Sequence, residues 1–166
     1  AVPMAAIEIL VKSARAPLAE PTTKSTSNGR TIKTGPAYER EFERYLARRQ
    51  LEKFPDLVAR FLDTQEAAAL PVENRLVTTL ALEPNTTARR VATMVTKLGR
   101  APEKDELLRL AQSLDEPGVS EALKLLLADP ARQTSVLEKL VAVRTKVDTA
   151  RLSPLLIAPA RSLLAG

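Results

Sequence analysis

Prolines stand where the apolar pattern restarts, and this recurrence confines the chain to a succession of short helices. Pro55, Pro71, Pro84, Pro102, Pro117, Pro130 and Pro154 each lie near the start of a segment whose apolar residues recur at spacings of three and four. Proline suits a first helical turn, where its missing N–H would have no partner anyway, and it breaks a helix interior. The stripes between them include Tyr38, Phe42, Tyr45 and Leu46, then Leu57, Val58, Phe61 and Leu62, then Ala88, Val91, Ala92 and Val95. Leu107, Leu108, Ala111 and Leu114 continue the series, as do Val136, Leu137, Leu140 and Val141. This period is that of one helix face buried against a core. The reading is about eight helices of roughly 10–18 residues joined by tight turns, which makes consecutive helices antiparallel neighbours.

The residue types agree. The apolar content comes as Leu, Val and Ala, and the only rings are Tyr38, Phe42, Tyr45, Phe54 and Phe61. A β-sandwich or barrel draws on Ile, Tyr, Phe and Thr, whereas Leu, Ala, Glu, Lys and Arg favour helix. The expected fold is all-α, with antiparallel helical hairpins forming a short repeat-like array or an irregular bundle. Pro71 to Pro102 is 31 positions and Pro84 to Pro117 is 33, close to helical-hairpin repeats of about 34 residues.

Residues 1–36 read differently. Pro3, Pro17, Pro21 and Pro36 interrupt helices, and the run Thr22–Gly29 is polar and turn-rich. The expectation is an extended N-terminal arm over residues 1–36 and a helical domain over 37–166. The apolar patch Ile7, Ile9, Leu10 and Val11 would dock on a neighbour, and deletion of the arm would leave the helical domain folded. The arm also holds +3 of the +5 net charge, leaving a nearly neutral body. A basic arm suits an acidic partner or phosphate.

The chain contains no His, Cys or Trp. That excludes ordinary zinc sites, thiol chemistry, Ser-His-Asp hydrolysis and haem ligation through histidine or cysteine. The segment Gly29–Gly35 holds Lys33 and Thr34 but lacks the Gly-Lys-Ser/Thr order of a nucleotide loop. Asp105-Glu106 and Asp115-Glu116 bracket one helix, where acidic residues at the start offset the helix dipole without a metal. No catalytic residue, metal or cofactor is expected, nor a small-molecule substrate. No apolar run approaches the ~20 residues of a membrane span.

The strongest candidate contact residues are Tyr38, Arg40, Phe42, Arg44, Tyr45 and Arg48, because Tyr and Arg are enriched in interface hot spots and here share one short segment. Arg89, Arg90, Lys97 and Arg100 form a second basic set. They open an alternative, a helical-repeat RNA-binding protein reading bases through polar side chains.

Two resemblances add to this reading. The run Asp105–Leu114 followed by Pro117 resembles a helix in the N-terminal domain of the ATP-synthase delta, or oligomycin-sensitivity-conferring, family. The arm and the hairpins of about 30-residue period resemble the pentatricopeptide-like accessory subunits of mitochondrial complexes, one of which decorates euglenozoan ATP synthase. The chain begins Ala-Val-Pro, read as removal of an initiator Met, cleavage of an organelle-targeting peptide or a truncation. The resemblances imply a non-catalytic accessory subunit of a large organellar complex, with mitochondrial ATP synthase the first candidate and other protein subunits as partners.

Overall fold

The computed structural model describes residues 2–165. Ten α-helices, one 3-10 turn and one two-stranded hairpin occur among them. The fold is mostly helical, and the hairpin departs from a purely α chain. The chain divides into two compact units, Ala1–Leu82 and Glu83–Gly166.

The N-terminal unit contains α1 (Met4–Ser13), β1 (Thr23–Ser27), β2 (Arg30–Thr34), α2 (Pro36–Leu51), α3 (Pro55–Leu62), α4 (Gln65–Ala69) and α5 (Val72–Leu80). Its core gathers Ile7 and Val11 of α1 with Leu51, Val58, Phe61, Ala67 and Ala81. Helix α1 packs on α2, α3 and α5 together.

The expected arm over residues 1–36 is therefore corrected, and with it the boundary at 36/37. Ile7 and Val11 are fully buried, one helical turn apart on a single face. Pro3 caps α1 from outside and does not interrupt it. The apolar patch does dock, but inside its own unit; only Ile9, at i+2 from Ile7, turns to solvent. The polar run that follows folds as a hairpin. Asn28 and Gly29 both have positive φ, 49° and 74°, the geometry of a type I′ turn whose twist matches the strands it joins. Thr23 faces Thr34 at its open end.

The C-terminal unit contains α6 (Pro84–Val95), α7 (Lys104–Ala111), α8 (Val119–Ala128), α9 (Gln133–Val143), the 3-10 turn Arg144–Lys146 and α10 (Thr149–Ala165). Its core is aliphatic: Val91, Val95, Leu107, Leu110, Leu123, Leu126, Val136, Leu140 and Leu152 are buried. Prolines open α3 and α6, as the sequence suggested, but Pro154 lies inside α10 together with Pro159. Asp148 starts that helix earlier. Its Oδ1 accepts from the Ala150 N–H at 3.0 Å, and its carbonyl accepts from Arg151 and Leu152.

One carboxylate organises the turn before α7. Glu106 is 1% exposed; its Oε2 accepts from Arg100 Nη1 at 2.9 Å and its Oε1 from Arg100 Nη2 at 2.8 Å. Oε2 also accepts the Glu103 backbone N–H at 2.8 Å, which satisfies one of the donors a helix start leaves unpaired. Arg132 Nη1 donates to the Leu98 carbonyl at 3.2 Å and Lys139 Nζ to the Pro102 carbonyl at 2.8 Å. Three cations thus pin the loop between α6 and α7.

Ile7→Ala is expected to destabilise the N-terminal unit by roughly 2–5 kcal/mol, the range for truncating a buried aliphatic side chain. Deleting residues 2–36 is expected to unfold it. Amide hydrogen exchange resolved by unit checks both: protection should fall from α2 to α5 and persist from α6 to α10.

Candidate functional site

Helix α2 carries all six candidate contact residues. Gly35, at φ 88°, turns the chain out of β2 and Pro36 occupies the first helical turn. Glu39 near the start and Arg48 and Arg49 near the end oppose the helix dipole. Ala37, Ala47 and Leu51 define the buried side, and the small residues let α2 lie close to α1 and α5.

The structure divides the six candidates between two faces. Arg40, Arg44 and Arg48 turn toward the protein. Arg40 Nη1 donates to the Ala16 carbonyl at 2.9 Å, and Arg44 Nη1 donates to those of Arg15 at 2.6 Å and Ala14 at 3.4 Å. From α5, Asn74 Nδ2 donates to the carbonyls of Val11 at 2.9 Å and Lys12 at 3.3 Å. The last turn of a helix leaves carbonyls without intrahelical partners. Here Asn74 of α5 donates to two of them, while Arg40 and Arg44 of α2 bond the carbonyls of Ala14, Arg15 and Ala16 just past the helix. Arg44 Nη2 also lies 3.3 Å from Glu73 Oε2, with both side chains mostly shielded from water. Arg48 Nε pairs with Glu52 one turn on, at 3.1 Å.

Tyr38, Phe42 and Tyr45 occupy the outer face. Their rings form a ladder, Tyr38 to Phe42 and Phe42 to Tyr45 each 6.3 Å between centroids and tilted by 22° and 20°. Phe42 is 47% exposed and Tyr45 55%. Leu46 joins them at 44%. It also lines a groove of about 540 Å³ with Leu10, Ser13, Arg15, Glu43, Ala47 and Gln50. Apolar surface therefore runs from the ring ladder across Leu46 into the groove beside α1.

At the groove, Arg15 Nη2 donates to Glu43 Oε2 at 2.9 Å, and Arg40 Nε lies 3.2 Å from the same oxygen. The Arg15 hydrogen bond, with the charges of Arg15 and Arg40, holds the Glu43 carboxyl below its usual range. In the C-terminal unit the Arg151 hydrogen bond does the same to Asp115, and the bonds from Arg132 and the Ala131 N–H to Asp129.

The second basic set is partly engaged. Arg100 is committed to Glu106, and Arg89 lies 3.6 Å from Glu116 across the α6–α8 side. Among the described residues no three His, Cys, Asp or Glu side chains gather as a metal site, and no helix is long and apolar enough to cross a membrane.

Sequence reasoning did not find Asn74, Glu73 or the hairpin. Asn74 lies mid-helix in α5, so nothing local marks its contact with α1. The hairpin did carry a signal, since Asn-Gly between short Thr- and Ser-rich runs is the strongest short-range mark of a type I′ turn.

Comparison with known proteins yields no match: no protein-family model, no curated protein and no solved structure is significantly similar to this chain.

Glu43 fixes the sign of an acid effect. Its folded-state pKa is depressed, so the stability it contributes is complete above the ordinary carboxylate range and is lost as pH falls through the lowered folded value. Denaturant titrations across acidic pH are expected to show a shallower loss of N-terminal-unit stability in Glu43→Gln than in the parent. At neutral pH, Asn74→Ala is expected to cost about 0.5–1.5 kcal/mol, the net worth of a hydrogen bond, because it strips a side-chain donor from the buried Val11 carbonyl, which keeps the Ala14 N–H.

Proposed function

We propose that this protein is a non-catalytic helical accessory subunit that docks into a large multi-protein assembly through the outer face of α2. One observation carries the reading: Phe42 and Tyr45, stacked in line with the half-buried Tyr38, stand exposed on a helix whose opposite face is clamped. Exposed rings held on a rigid element lose little conformational entropy on binding. Tyr and other aromatic side chains recur among residues that dominate interface energies. The adjoining groove offers a recess for an apolar side chain of the partner.

The resemblances carried by Asp105–Leu114 and by the proline spacing make mitochondrial ATP synthase the first assembly to test. The repeat-like arrangement of helical hairpins belongs to the same proposal. The RNA reading needs Arg89, Arg90, Lys97 and Arg100 together on phosphates, whereas Arg100 serves Glu106.

Tagged protein purified natively from its own cells is expected to bring down one assembly at fixed stoichiometry, with and without ribonuclease, by quantitative mass spectrometry. Phe42→Ala with Tyr45→Ala is expected to reduce that recovery at least tenfold, the scale of losing one or two hot-spot side chains. Thermal unfolding should stay within about 1 kcal/mol of the parent, as for surface substitutions. Recovery of RNA, with partners lost on digestion, would replace this proposal with the RNA-binding one.

A further inference from the structure

We infer that the hairpin Thr23–Thr34 is a strand-addition site for an extended acidic segment of a partner protein. Its surface is separate from the ring ladder of α2, so the two proposals fail separately.

The argument starts from exposure. All five residues of β1 and four of the five in β2 face solvent, so neither side of the hairpin is covered by a core. A two-stranded hairpin gains stability in water from a third strand or a helix packed on it; here α2 lies against β2, and among the described residues β1 has no such neighbour.

The turn fixes which backbone groups are available. A two-residue type I′ turn joins Ser27 and Arg30 by its own hydrogen bond. Antiparallel ladders alternate bonded and non-bonded pairs, and the register pairs Thr26 with Thr31 and Lys24 with Lys33. The amides and carbonyls of Lys24 and Thr26 therefore point away from β2. On the other strand, β2 lies against α2, and Lys33 Nζ is held by Glu41 Oε1 at 2.9 Å. The open edge is that of β1.

Charge then selects the occupant. No carboxylate occurs from Pro21 to Tyr38, while Lys24, Arg30 and Lys33 all lie in the hairpin. Lys24 stands directly opposite Lys33, but Glu41 pairs only with Lys33. Among the described residues neither Lys24 nor Arg30 has an ion-pair partner. Lysines on an edge strand disfavour pairing with a second copy, because the same charges would meet across the new ladder. A strand bearing Glu or Asp at alternate positions pairs with Lys24 and Arg30 while its backbone completes the edge. This is binding by β-strand addition, with affinity from the main chain and specificity from side chains.

The test uses the full chain and three fluorescein-labelled probes: an alternating (Glu-Val)4 peptide, the matching (Lys-Val)4 peptide and a ten-nucleotide oligouridine. Fluorescence anisotropy is expected to show saturable binding of (Glu-Val)4, at least tenfold tighter than either other probe. Amide exchange at Lys24 and Thr26 should slow on binding. Lys24→Gln is expected to weaken the peptide at least threefold. Thr26→Pro, which removes an outward amide and no ladder bond, is expected to abolish the slowing at Lys24. Cross-strand nuclear Overhauser contacts show whether the hairpin survives Thr26→Pro; if it does not, Lys24→Gln alone decides. Equal binding of the two peptides, tighter binding of the oligouridine, or binding without slowed exchange would each overturn the inference.

Discussion

The carbonyls at the end of α1 are the constraint on which the N-terminal unit depends. That helix is ten residues long, too short to persist in water by its own propensity. Ile7 and Val11 draw it into the core, with the Val11 carbonyl buried at its end and Ala14 buried just past it, while the backbone that follows still needs holding in place. Arg40, Arg44 and Asn74 answer that need. By doing so they fix the rotation of α2 about its own axis. A helix clamped through Arg40 and Arg44 has to present Tyr38, Phe42 and Tyr45 on its other side. The exposed ring ladder is thus a consequence of how α1 is finished.

The two units reach cohesion by different chemistry. All five rings of the chain lie in the N-terminal unit, and two of them, Phe54 and Phe61, pack in or against its core. The C-terminal unit packs without a ring, on aliphatic side chains and Met94, and its longest connection is tied down by charge. Arg100, Arg132 and Lys139 converge on the loop before α7, and Arg109 donates to Thr87 Oγ1 at 2.5 Å in a buried setting. Several of the cations behind the basic isoelectric point are therefore structural ties. Net charge read from composition does not distinguish such ties from a surface meant for phosphate.

Much of the helical pattern was legible because it rests on local rules. The spacing of three and four placed α2, α3, α6, α7 and α9, and Pro55 and Pro84 marked true starts. What local rules do not contain is competition between starts. Ser153-Pro154 resembles a cap followed by a first turn, yet Asp148 offers a carboxylate to the Ala150 amide five residues earlier. Composition alone, through prolines and polar residues, suggests an arm over residues 1–36, whereas the i, i+4 pair Ile7 and Val11 and the dipeptide Asn28-Gly29 carry the structural information. For the candidate site, the sequence located the right helix. It could not show that the arginines and the rings face opposite ways, because the carbonyls that claim the arginines belong to residues 24 to 30 positions away.

The placement of the rings has a spectroscopic consequence. With no Trp in the chain, Tyr38 and Tyr45 are its only strong near-ultraviolet chromophores, and both stand on the outer face of α2 with Phe42 between them. Their emission and circular dichroism report on that one surface, while the C-terminal unit is optically silent. The molecule carries an intrinsic probe at the place where a neighbour would land, and any change in tyrosine signal on mixing reads contact there without a label.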